Sequence, residues 1–421
     1  ETGFGQYAYG IGLNNPSLPI LTETNYSTTG TDNFSIAEDG LASYFGSVNY
    51  GYKNKYLASF NFRADASSRF GKDHQFGYFP AGSVAWRLSQ ENFMRNIKTV
   101  SDAKLRASYG ILGNNNIGDF SYNSVYGPVQ YADIPAFALG NPGNSDLRWE
   151  RQKQLDIGLD FTLWNKVNVT TDYYNRKTQD LILANPVLAT LGFPGNTITE
   201  NIGQLKNTGV ELSINSTNIS RKNFSWTTNF NIAYSKNRVV STNSNGDDIF
   251  GGFGIARPGV DLGTFYLIRW NGVNPQTGWA TWLDGNGNVK QYDPSATTSK
   301  WTTVKDGAPT SGISTNTDRS VLKGKTHYPK FYGGLTNSVT FKGFDLGLDL
   351  QYAFGFYVYN STLSALETYT TQRNKSTELL SAWTTAGQVT NVPKLYWGDN
   401  QESQASSRFL EKGDYIRIKN L

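Results

Sequence analysis

Apolar and polar residues alternate with a period of two over long stretches of this chain. From Leu155 to Leu163 the odd positions are Leu155, Ile157, Leu159, Phe161 and Leu163, and between them stand Asp156, Gly158, Asp160 and Thr162. Successive side chains of a strand point to opposite faces, so this segment predicts a strand with one apolar and one hydrated face. The same pattern sets Phe224, Trp226, Thr228, Phe230, Ile232 and Tyr234 against Ser225, Thr227, Asn229 and Asn231. It also sets Phe344, Leu346, Leu348, Leu350 and Tyr352 against Asp345, Asp349 and Gln351. Eleven strands are predicted, at roughly 41–52, 55–67, 79–89, 102–112, 150–163, 166–178, 205–218, 223–236, 329–341, 344–357 and 413–421. Most exceed the ~5–6 residues of a soluble strand and reach the ~9–11 needed to cross a bilayer at a tilt.

The connections alternate as well. Tight turns are expected around Lys53-Asn54, Asn165-Lys166, Ser220-Asn223 and Lys342-Gly343, whereas the links 68–78, 113–149, 179–204, 237–328 and 358–412 are longer. Bacterial outer-membrane barrels have short periplasmic turns and longer extracellular loops, which orients the predicted sheet. One link of the short class is long, 89–101, and its Ser89-Gln90-Glu91-Asn92-Phe93 predicts a capped helical turn at the periplasmic rim. A soluble sandwich or propeller would also alternate, but with short strands, and it would not explain the alternation of loop lengths. The predicted fold is therefore all-β, an antiparallel transmembrane β-barrel. Eleven is an odd number, and a bacterial barrel closes with an even one so that no backbone edge meets lipid. Further strands are expected outside these residues.

Composition changes this picture little. Among 421 residues there are 43 Gly, 25 Tyr, 24 Phe and 10 Trp, so aromatic rings supply much of the apolar surface. Mean hydropathy is −0.47, which is uninformative for a barrel because only alternate residues face lipid. No Cys is present, excluding disulfides and thiolate chemistry. A net charge of +4, scattered along the chain, gives no basic stripe of the kind nucleic acid requires. Nucleic acid is not an expected partner.

Several blocks resemble a known family. They are Arg63-Ala64-Asp65-Ala66-Ser67-Ser68-Arg69-Phe70-Gly71, Phe79-Pro80-Ala81-Gly82-Ser83-Val84-Ala85-Trp86-Arg87-Leu88 and Lys104-Leu105-Arg106-Ala107-Ser108-Tyr109-Gly110. Gly140-Asn141, Leu147-Arg148-Trp149-Glu150, Asp172-Tyr173-Tyr174-Asn175-Arg176, Asn207-Thr208-Gly209-Val210-Glu211-Leu212, Asn271-Gly272-Val273-Asn274-Pro275, Thr277-Gly278 and Gly413-Asp414-Tyr415-Ile416-Arg417 follow in the same order. Together they resemble the SusC/RagA family of TonB-linked outer-membrane transporters, with Ala66 standing where the family usually has Gly. The resemblance implies that residues 1–421 are the C-terminal portion of a twenty-two-stranded barrel, with the plug, the N-terminal domain and its TonB-contacting segment lying outside this chain. It also implies import of a large nutrient, a glycan or an oligopeptide, together with a SusD-like surface lipoprotein. A non-transporting docking or structural barrel of the same lineage is the alternative.

Candidate site residues follow from the polar face: Arg63, Asp65, Arg106, Asp156, Asp160, Glu211, Asn229, Asp345 and Asp349 are expected in the lumen, touching substrate or plug or bridging one another. The pairs Asp156/Asp160 and Asp345/Asp349 could suggest a glycosidase, but each alternates with lipid-type residues and reads as a hydrated wall. With only His74 and His327 as imidazoles, no catalytic triad, metal centre or cofactor site is expected. The Asp284-Gly285-Asn286-Gly287-Asn288 run could offer oxygens to calcium, yet it lacks the later bidentate acid of a calcium loop, and a hairpin turn is the preferred reading.

Overall fold

The computed structural model describes residues 11–13, 24–26, 39–131, 134–243, 245–368, 374–399, 401 and 404–421. Its dominant element is one antiparallel sheet of eleven strands, joined in chain order from one edge to the other. We number them β1 (Leu41–Tyr52), β2 (Tyr56–Ser67), β3 (Phe76–Trp86), β4 (Val100–Asn114), β5 (Glu150–Leu163) and β6 (Val167–Gln179). The series continues with β7 (Gln204–Arg221), β8 (Phe224–Ser241), β9 (Phe331–Phe341), β10 (Phe344–Phe354) and β11 (Tyr415–Asn420). All eleven were predicted from the alternation.

Three of the tight turns follow from local chemistry. Lys53 and Asn54, Trp164 and Asn165, and Lys342 and Gly343 all have left-handed φ, between 47° and 90°, so the turn expected at Asn165-Lys166 sits one residue earlier. That pairing is what a two-residue turn needs to match the right-handed twist of its flanking strands. Boundaries differ where the backbone breaks pairing. The predicted 79–89 strand is Phe76–Trp86, because two 3₁₀ turns, Leu88–Gln90 and Asn92–Met94, follow it. Neither turn has a side-chain cap, which corrects the expected capped helix. β10 stops at Phe354, since Gly355 turns the chain with φ 78°.

Register confirms the two faces. Directly opposed residues share a face, and Tyr44–Ala64, Val48–Phe60, Tyr50–Ala58 and Tyr52–Tyr56 pair across β1 and β2. In β8, β9 and β10 the apolar rows read Phe230–Leu335–Leu350, Trp226–Val339–Leu346 and Phe224–Phe341–Phe344. This apolar face is the exposed one: Tyr44, Val48 and Tyr50 are 65–68% exposed, Leu346 61% and Phe344 80%. A soluble sandwich buries its apolar face against a second sheet, so the arrangement excludes one. Phe45 departs from the pattern, since register places it opposite Arg63 on the polar face.

By contact density the chain divides into two units. The first comprises 1–95, 104–157 and 174–206. Its buried cluster is Phe70, Phe79, Ile117, Leu147 and Trp149. Trp149 packs 5.4 Å from Phe70 and 5.3 Å from Phe79 between ring centres, and its Nε1 donates to the Gln75 carbonyl at 2.8 Å. The second unit comprises 96–103, 158–173 and 207–421. Within its long 242–330 link, where the sequence predicts a loop with a hairpin turn, lies a sheet of seven strands, from Ile249–Gly251 to Arg319–Thr326. Ile268, Ala280, Trp282 and Ile313 form its core, with Trp270, Tyr292 and Trp301 packed against them.

Candidate functional site

The polar face of the sheet carries the candidate residues. Arg63 and Asp65 sit two apart on β2 and therefore side by side. The Arg63 Nε donates to both Asp65 oxygens at 2.7 Å, and Nη2 donates to the Ser43 hydroxyl at 3.1 Å. Asp65 is 6% exposed, a burial a carboxylate tolerates when paired. Its opposite number is Gly77, where an added Cβ would come within 2.4 Å of Phe79 and 3.0 Å of Trp149. The glycine is thus required by the aromatic core. Arg106, on β4, lies opposite Ala85 on the same face.

On β5, Gln152, Gln154 and Asp156 form a ladder of side-chain hydrogen bonds. The Gln154 amide donates to Asp156 Oδ2 at 2.6 Å, and the Thr178 hydroxyl donates to Gln152 at 3.3 Å. Asp160 follows two strand repeats further along that face, beyond Gly158. Glu211 shares the face of Asn207, whose oxygen accepts from the Ser235 hydroxyl at 3.3 Å. Asn229 and Asp349 fall into one row, through Thr336 between them, and Asp349 accepts from the Asn420 amide at 3.1 Å. Asp345 accepts from the Thr340 hydroxyl at 2.6 Å. Of the nine candidates, register and contacts join Arg63 with Asp65 and Asn229 with Asp349. Asp65, Asp156, Asp345 and Asp349 accept hydrogens from guanidinium, amide and hydroxyl groups.

The regions beyond the strands carry the strongest electrostatics. Lys55 Nζ, Tyr56 Oη and Trp86 Nε1 all donate to the Glu91 carboxylate, at 3.0, 2.8 and 3.1 Å. Led by the Lys55 hydrogen bond, they hold its pKa at about 2. Burial pushes the Asp180 carboxyl up, but hydrogen bonds from Arg151 and Arg148 outweigh this and hold it below the usual range. Asp284 is a turn residue: its Oδ1 accepts from the Asn286 and Asn288 amides at 3.0 and 2.8 Å, between the strands Ala280–Leu283 and Val289–Tyr292. The hairpin reading of this run is therefore the correct one. Arg408 and Glu367 form an ion pair at 2.5 Å with side chains only 2% and 3% exposed.

A family model for TonB dependent receptor-like β-barrels matches residues 2–310. The chain belongs to this family. Among relatives of the receptor barrel, a TonB-dependent receptor of Formosa agariphila is 35% identical over 92% of this chain and 38% of its own length. The TonB-dependent receptor SusC of Bacteroides thetaiotaomicron is 30% identical over 96% of this chain and 38% of its own. Among solved structures, that of the RagAB peptide transporter superposes with a TM-score of 0.77 at 26% identity, covering 97% of this chain and 44% of that one. The chain thus spans about two fifths of the length of these relatives. The resemblance to SusC and RagA is confirmed, and the receptor barrel is an outer-membrane protein.

Sequence reasoning missed three features of the receptor barrel: the Glu91 hub, the Glu367–Arg408 pair and the Trp-rich core of the seven-stranded sheet. For the last, a signal was available in Trp279-Ala280-Thr281-Trp282 followed by an Asp-Gly turn. Ala280, Thr281 and Trp282 are all buried, however, so this strand does not alternate. Glu367 and Arg408 are 41 residues apart, and neither stands in a recognisable motif.

Proposed function

We propose that the full-length receptor imports a large nutrient, a glycan or an oligopeptide, across the outer membrane with energy delivered through TonB. The supporting observation is the superposition of this barrel segment on the RagAB peptide transporter over 97% of the chain. In this reading the polar face, with Arg63, Asp65, Arg106, Asp156, Asp160, Glu211, Asn229, Asp345 and Asp349, lines the aqueous interior. A SusD-like surface lipoprotein is the partner at the extracellular side, and TonB engages an N-terminal region outside these residues. A plug filling the lumen blocks passive flow, so work must displace it for each substrate. Uptake of labelled glycans and oligopeptides by cells carrying the parent gene tests the proposal. Uptake should cease on adding a protonophore and in a TonB deletion; uptake unchanged in both would mean passive diffusion and end the importer reading.

A further inference from the structure

The exposed apolar face carries a transverse groove close to the short-turn end of β1–β5. Register explains its shape. Tyr50, Ala58, Val84 and Ala107 oppose one another across β1–β4, so three small or short side chains stand in one row. The adjacent row toward the turns is Tyr52, Tyr56, Trp86 and Leu105, three of them aromatic. Tyr52 stacks on Tyr56 at 6.5 Å and Tyr56 on Trp86 at 6.4 Å, forming a continuous wall. On the other side the next row reads Val48, Phe60, Gly82 and Tyr109. Tyr50 and Ile157 also line it. The groove's volume is about 350 Å³ and its lining is almost wholly apolar.

The wall is also anchored to charge. The Glu91 carboxylate ties Tyr56 and Trp86 to Lys55, which fixes the two rings that bound the groove. Lys53, in the turn beyond the aromatic row, holds its ammonium 5.1 Å from the Tyr52 ring centre and is exposed. Arg87 reaches the same turn, donating through Nη1 to Asn54 Oδ1 at 3.2 Å. The groove thus presents a dry apolar trough, then aromatic rings suited to an interface, then cations at the rim.

We propose that this groove is a binding site for one glycerophospholipid of the periplasmic leaflet, its acyl chain lying over Ala58, Val84 and Ala107 and its phosphate meeting Lys53. The inference rests on the outer-membrane barrel and on the short turns being periplasmic, and it is independent of what the receptor imports. An acyl chain fits the trough because it is apolar and narrow; the anionic phosphate fits the rim because the outward cation lies just past the aromatic row. Lipid A belongs to the opposite leaflet and would not reach Lys53.

The test uses the full-length receptor purified in mild detergent after reconstitution in phosphatidylethanolamine/phosphatidylglycerol vesicles, with retained lipid read by native mass spectrometry. Wild type should retain one phospholipid. Ala58→Phe with Ala107→Phe, which fills the trough, should lose it while the barrel stays heat-modifiable. Lys53→Ala leaves the trough intact and guards against a folding defect; it should lower retention markedly. Equal retention in the filled variant and wild type would overturn the proposal, as would retention indifferent to Lys53 or a retained species that is lipid A.

Discussion

At the scale of single residues, a side chain's worth here depends on which face it occupies. Leu159 and Asp160 are neighbours in β5 on opposite faces. Leu159→Arg puts a charge on the apolar face near mid-strand and should destabilise the full-length barrel by about 2–4 kcal/mol, whereas Asp160→Asn should be near neutral. Refolding into lipid measures both, and the reverse order would exchange the faces. Glu91 gives a pH-dependent counterpart. Its pKa is about 2 in the fold against an ordinary 4.5, so the unfolded chain binds the proton more tightly. Its contribution to stability is complete above pH 4.5 and is lost as pH falls toward 2. Denaturation curves across this window should show wild type losing stability more steeply than Glu91→Gln; parallel slopes would remove Glu91 as a stabilising group.

At the scale of elements, turn chemistry and loop content divide the two ends of the sheet. The turns at Lys53-Asn54, Trp164-Asn165 and Lys342-Gly343 need only two left-handed residues each. The opposite links hold hairpins, Val125–Tyr131 with Ile134–Asn141 and Ile182–Pro186 with Thr197–Asn201, and also the seven-stranded sheet. If the long links are extracellular, an epitope inserted beside Asn245 or Asn374 will be reached by antibody on intact cells, and one at Asn165 or Gly343 will not. Labelling at all four positions would refute the orientation. The turn residues were legible because a two-residue turn is a local problem. The seven-stranded sheet was not, because most of its strands have only three or four residues and it leans on distant chain: the Trp270 amide donates to the Ser407 hydroxyl at 3.0 Å, across 137 positions of sequence.

At the scale of the molecule, the sheet runs from β1 to β11 without those two strands being neighbours. Among the described residues each leaves a row of backbone groups without a partner in this sheet, and an unsatisfied group in lipid costs several kcal/mol. Residues 1–421 expressed by themselves should therefore not give a closed, protease-resistant barrel. The gel mobility of unheated and boiled samples checks this, and a heat-modifiable band from this segment would contradict it.

The sequence by itself determined the eleven strands, their two faces and the alternation of their links. Lipid on one side and water on the other impose a period of two that needs no knowledge of distant contacts, and tight turns are written in adjacent residues. The same periodicity put Arg63, Asp65, Asn229 and Asp349 on the polar face. Only the tertiary structure decided that Arg63 pairs with Asp65, that Asn229 and Asp349 share a row, and that Gly77 is glycine because Phe79 and Trp149 fill its space. It also decided that Glu91 gathers Lys55, Tyr56 and Trp86, and that Glu367 meets Arg408 inside the link beyond β10. The physical reason is range: solvent contact acts on each residue where it stands, whereas register, packing and ion pairing depend on what the rest of the chain brings beside it.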